Sequence, residues 1–134
     1  VANVRPFLER AIHCLKPGGL LILSVPNNDS FIRYDRKAYL NMPPHHMGLW
    51  NEKAFRALAE ILPLQLKKIS FEPLQPYHEE YYFRTVSRAR HGYLIYKMKK
   101  LLYKMGLKHY YLEKIRKKAH QIRGHSILAV YTKR

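Results

Sequence analysis

Leu15-Lys16-Pro17-Gly18-Gly19-Leu20-Leu21-Ile22-Leu23-Ser24-Val25-Pro26-Asn27 is the stretch on which the reading of this chain turns. A helix ends at its start, a two-glycine turn follows, and an apolar strand runs over residues 20–25 before a polar loop opens. Only Ser24 interrupts the apolar run. Strands of that kind are usually buried on both faces, as in a mostly parallel sheet covered by helices. In such sheets, ligands bind just outside the carboxyl ends of the strands. Pro26, Asn27, Asn28 and Asp29 therefore stand where chemistry is expected, although an ordinary buried strand leaving through a turn has the same pattern.

Working outward, residues 6–15 read as a helix. Pro6 suits the first helical position, and Phe7, Leu8, Ala11, Ile12 and Leu15 form one stripe. Lys16 favours the negative end of the dipole, and Pro17-Gly18-Gly19 stops the helix. Cys14, the single cysteine, excludes an intrachain disulfide framework, suits a reducing compartment and reads as a small buried hydrophobe. Residues 27–50 show no sustained period; Phe31-Ile32 and Tyr39-Leu40 could each anchor a short helical turn. A loop this long inside a compact domain is usually functional. Residues 51–62 read as a helix with Asn51 as N-cap, Glu52 at the positive end and a Trp50–Phe55 staple, ended by Pro63. Residues 64–71 read as a strand in which Lys67 and Lys68 point to an edge or a bulge. A final strand is expected over residues 126–133.

Charge divides the chain. Residues 1–74 carry 10 Lys/Arg against 6 Asp/Glu, whereas residues 75–134 carry 15 against 3, giving +4 and +12 of a total +16. The shift marks residues 75–124 as a basic insert between two parts of a core, residues 1–74 and 125–134. Within it, Leu94, Met98, Leu101, Leu102 and Met105 share one helical face, and Gly106 ends that helix. Leu112, Ile115, Ala119 and Ile122 repeat the pattern, and Gly124 closes a helical hairpin. The plainest reading packs both apolar faces on the core and leaves the lysines in water. A second lays the insert against an anionic membrane or an acceptor, and a third gives it nucleic acid, through lysines and Tyr110-Tyr111. No nucleic-acid motif is present, which places that partner last. No apolar run is long enough to span a bilayer. The eight histidines show no metal-ligand spacing with enough partners, so no metal is expected.

The Lys16-Pro17-Gly18-Gly19 turn, Val25-Pro26-Asn27 after the strand, Pro43-Pro44-His45-His46 with Trp50 before the next helix, and the closing strand Ser126-Ile127-Leu128-Ala129-Val130 resemble the second half of a class I S-adenosylmethionine-dependent methyltransferase. The resemblance implies an α/β fold: the last three strands of a Rossmann-like sheet, with the final strand antiparallel to its neighbours and beside the strand at Leu20. It implies that His46, with His45 second, takes a proton from the acceptor, since a histidine titrates near neutrality. Asn27, Asn28 and Trp50 would bind the acceptor, a small molecule or a lipid or glycan. The Gly-rich loop and acidic residue that hold the cofactor in such enzymes are missing, for no three of the six glycines form Gly-x-Gly-x-x-Gly. The chain also begins at Val1. It reads as a fragment whose parent binds S-adenosylmethionine elsewhere, and which has no cofactor-binding residues and no activity by itself. One neighbour of the strand at Leu20 is then absent, which predicts a homodimer through the exposed edge. A cytoplasmic protein, peripheral to the inner membrane face, is the expected setting. The competing class is a non-enzymatic basic α/β module on an anionic membrane or nucleic acid.

Overall fold

The apolar stripe of Leu8 and Ile12 does make a helix, α1 (Val4–His13), followed by strand β1 (Leu20–Pro26). The structure, a computed structural model, describes residues 3–35 and 41–134. Further along come α2 (Glu52–Ile61), β2 (Leu64–Pro73), α3 (Glu79–Leu102), α4 (Lys108–Arg116) and β3 (Arg123–Lys133). These elements form two compact units, one of residues 3–28, 41–71 and 126–134, the other of residues 29–35 and 72–125. Tyr39-Leu40 lie outside the described residues.

The first unit is built on a three-stranded sheet in the order β1-β3-β2. β3 is central and runs antiparallel to β1, with Leu21 opposite Tyr131, Leu23 opposite Ala129 and Val25 opposite Ile127. The last strand thus lies antiparallel beside the strand at Leu20, as the resemblance implies. Side chains alternate along a strand, so these pairs share a face, and both helices cover it. Ile127, Ala129 and Tyr131 pack with Leu8 and Ile12 of α1, Phe55 and Leu58 of α2, and Leu64 of β2. Burying a side chain of the size of Phe55 contributes roughly 1.5–3 kcal/mol.

The other face is different. Leu20 and Ile22 are each 58% exposed, so β1 is not buried on both faces, and its pairing is antiparallel. The apolar run reflects an edge strand whose second face has no helix over it among the described residues. Cys14 is also exposed, just past the last turn of α1, and is not the buried hydrophobe expected. The carbonyl of Leu15 is capped from far along the chain, by Lys133 Nζ at 2.7 Å.

α2 follows its local signals closely. The Asn51 side chain accepts from the Ala54 N–H at 2.9 Å, Glu52 pairs with Arg56, and the Trp50 and Phe55 rings lie 5.6 Å apart. β2 sits at a sheet edge, as Lys67 and Lys68 suggest.

The second unit has its own core of Phe31, Ile32, Leu74 and Val86, onto which Ile115, Ala119 and Ile122 pack. Phe31 meets Tyr81 and Tyr82 edge-on, each at 5.4 Å. Glu79, buried, accepts from Arg116 Nε at 2.9 Å. Two glycines reshape the hairpin. α3 breaks at Gly92, where φ is +75°, and Gly106, at φ +109°, lies in the turn before α4. Left-handed backbone of this kind favours glycine. Gly124 does not close a helix: it lies in β3, where an added Cβ would meet the carbonyl oxygens of Glu72 and Pro73 at 2.6 Å. The first hairpin stripe is not packed on a core either, since Leu94, Met98, Leu101 and Met105 are all exposed.

Candidate functional site

The carboxyl end of β1 opens onto a cavity of about 270 Å³ in the first unit. Most of its wall comes from three places, and Phe55 of α2 completes it. Leu23, Ser24 and Val25 supply the strand end, Val4, Phe7 and Leu8 the first turns of α1, and His45, His46, Met47, Gly48 and Trp50 the segment before α2. The sequence-predicted histidines and Trp50 are thus brought to one concavity beside the strand that the opening stretch singled out.

Local structure explains how the histidines are held. Both the His45 and the His46 N–H donate to the Met42 carbonyl, at 3.0 and 3.1 Å, which folds residues 42–46 into a tight turn. His45 is exposed and His46 half-buried. Trp50 is fixed from two sides. Phe55 packs on its ring, and Gly48 comes so close that an added Cβ would stand 2.9 Å from the indole Nε1. Any larger residue here would force the indole to shift.

The two asparagines, expected as acceptor ligands, are not among the residues that line the cavity. Asn27 is fully buried and is not among the cavity-lining residues. Asn28 is a brace. Its N–H donates to the Trp50 carbonyl at 2.9 Å, its Nδ2 donates to the Pro26 and Trp50 carbonyls, and its Oδ1 accepts from Asn41 Nδ2 at 2.7 Å. Those bonds tie the end of β1 to the segment entering α2, so Asn28 positions Trp50 and the histidine turn from behind.

Chemically the cavity is an apolar slot with imidazole at its rim. It suits a molecule with an apolar body and one group able to share a proton with His46. Among the described residues no carboxylate lines it, so the ribose hydroxyls of S-adenosylmethionine would find no acidic partner in this cavity. Among the described residues no group of three or more His, Cys, Asp or Glu could hold a metal ion.

Sequence reasoning missed the contribution of Val4, Phe7 and Gly48. Phe7 falls in the expected apolar stripe of the helix, yet it is 52% exposed and lines the cavity. Its i, i+1 relation to buried Leu8 was the available signal that it stands at the margin of the packed face.

The second unit has concave surfaces of its own. One, of about 240 Å³, gathers Arg33, Arg90, Tyr34 and Tyr82, with Arg33 Nη2 donating to the Tyr34 hydroxyl at 2.7 Å. Burial pushes the Tyr82 hydroxyl above its ordinary pKa. Another, of about 430 Å³, is lined by Tyr77, Tyr81, Phe83, Tyr96 and Tyr103. Comparison with protein-family models, with curated proteins and with solved structures finds no match to this chain.

Proposed function

We propose that this chain is the acceptor-side part of an S-adenosylmethionine-dependent methyltransferase acting on a small molecule or a lipid or glycan. One observation carries the reading. The strand after Lys16-Pro17-Gly18-Gly19 pairs antiparallel with the final strand, and the cavity at its carboxyl end gathers His45, His46 and Trp50. That is the arrangement expected from the motifs that carry the resemblance. In this reading the acceptor lies in the apolar slot, Trp50 bounds it, and His46 takes the proton from an acceptor hydroxyl. Orientation of the acceptor is the chain's main contribution, since near-attack positioning supplies much of the rate in displacement chemistry. The sulfonium donor supplies the methyl group and is held by residues outside this chain.

The open side of β1 supports the same idea. Its edge has no strand partner among the described residues, and Leu20 and Ile22 face outward. An apolar edge of this kind is where the cofactor-binding part, or a second copy, would pair. Light scattering tests the second copy: a homodimer is the expected species, and a strict monomer removes it. A cytoplasmic setting is the one we favour for a chain with a single, exposed cysteine; among the described residues no helix is long and apolar enough to cross a membrane.

The decisive experiment is methyl transfer by the complete reading frame with His46→Ala beside the wild type. Loss of roughly 10²–10⁴-fold in kcat with an unchanged KM for the donor is expected of a lost general base. Undiminished turnover would remove His46 from the reaction. Calorimetry of this chain alone adds a second check, because stoichiometric uptake of S-adenosylmethionine would contradict the proposed division of labour. The competing reading, a non-enzymatic basic module, predicts no transfer by the complete protein.

A further inference from the structure

We infer that the second half of α3 and the turn after it form a face that lies on an anionic lipid bilayer. The inference stands apart from the methyltransferase reading. Beyond the break at Gly92, the apolar residues Leu94, Met98, Leu101 and Met105 recur at steps of four, three and four, which aligns them in one stripe. They are 82, 57, 59 and 72% exposed. In a folded domain, a stripe this regular is ordinarily covered.

The opposite side of the same segment is already engaged. Tyr103 stacks on Phe83 with ring centroids 4.8 Å apart, and Tyr96 and Tyr103 line a cavity with Phe83. Rolling the stripe inward would break those contacts, so cover has to come from outside the unit.

Charge identifies the partner. Residues 81–112 contain eight Lys/Arg and no Asp/Glu. Lys97, Lys100 and Lys104 are exposed, and Lys97 Nζ sits 4.9 Å over the ring of exposed Tyr93. An anionic bilayer complements both properties at once. Its headgroups meet the cations, and its acyl boundary takes up the leucine and methionine side chains. Nucleic acid would answer only the charges, because phosphates and stacked bases leave aliphatic Leu94, Met98 and Leu101 without cover. The straight segment 93–102 is about 15 Å long, far short of a span, so it lies in the interface plane.

The test is co-sedimentation of the whole chain with phosphatidylcholine vesicles containing about a quarter phosphatidylglycerol. Binding is expected there, and at least about tenfold weaker binding to pure phosphatidylcholine vesicles. Leu94→Ser with Leu101→Ser leaves the charge unchanged and should weaken binding by about tenfold or more. Circular dichroism and the thermal midpoint of this variant should match the wild type, since both positions are exposed. Equal binding by wild type and variant, or equal binding to both vesicles, overturns the inference. As an independent check, Leu101→Trp should gain emission that brominated lipid quenches, above the baseline from Trp50. Quenching no greater than in the wild type also overturns it. A labelled oligonucleotide bound more tightly than the anionic vesicles, with the Leu94→Ser/Leu101→Ser pair unaffected, would assign the lysines to nucleic acid and refute the lipid face.

Discussion

Ile115, Ala119 and Ile122, in and just after α4, pack on the core of the second unit and Leu112 is buried, whereas Leu94, Met98, Leu101 and Met105, in and just after α3, stay in solvent. Both sets have helical spacing, and both alternate with lysines. What separates them is the supply of apolar surface opposite. Phe31, Ile32, Leu74 and Val86 accept Ile115, Ala119 and Ile122. Past Gly92, the side of α3 that meets its own unit bears Tyr96, and Tyr103, just after the helix, continues that side. Periodicity says which residues share a face, and only the rest of the fold decides whether that face is covered.

Truncating the packed stripe gives the largest expected effect. Leu112 is 7% exposed, so Leu112→Ala should cost about 2–4 kcal/mol in urea unfolding. A cost under about 0.5 kcal/mol, the surface value, would erase the contrast. Next comes the break that separates the two halves of α3. Gly92 has φ +75° with open space around its Cβ position, so Gly92→Ala meets no clash but strains the backbone. A loss of about 1–3 kcal/mol is expected, since φ +75° with ψ 172° lies in a region essentially restricted to glycine. A gain in stability would mean the helix runs straight through, since alanine is the better helix former.

Signals confined to a few neighbouring residues were legible in the sequence. The Asn51 cap, the Trp50–Phe55 staple and the left-handed Gly106 each depend on residues within about one turn. The antiparallel partnership of the first and last strands came through the resemblance, and its register follows from matching inward faces at Leu21/Tyr131 and Val25/Ile127. What stayed hidden was non-local. The apolar run of β1 could not reveal that one of its faces has no cover. Gly124 read as a helix stop, because the close carbonyls of Glu72 and Pro73 come from some fifty residues earlier. Phe31 and Ile32 gave no sign that they belong with the basic insert. At the candidate site, His45, His46 and Trp50 are singled out by the resemblance and the structure places them at one cavity, but the Gly48 contact and the Asn28 brace required the fold.

Tyr131 provides a reference that belongs to the first unit alone. Its hydroxyl donates to the Phe55 carbonyl at 2.7 Å, and burial pushes its pKa from 10.0 up to about 12. The folded state therefore holds the proton more tightly than the unfolded chain. Stability from this group is complete below pH 10.0 and declines as pH rises toward about 12. Tyr131→Phe should lose about 1 kcal/mol at neutral pH and show a smaller alkaline decline in thermal midpoint. An unchanged alkaline profile would mean that the hydroxyl is not held in the core. Because Leu112 lies in the other unit, comparing its effect with this one shows whether the two units melt together.

The smallest effect completes the contrast with the packed stripe. Leu101→Ala removes as many carbon atoms as Leu112→Ala, but from a side chain that is 59% exposed. Its cost in urea unfolding should stay within about 0.5 kcal/mol. Slight stabilisation is also consistent, because alanine has the higher helix propensity. A loss approaching that of Leu112→Ala would show that the stripe is covered in the free protein, through self-association or by rolling inward. Repeating the measurement at several protein concentrations separates those two causes, since only association makes the midpoint depend on concentration.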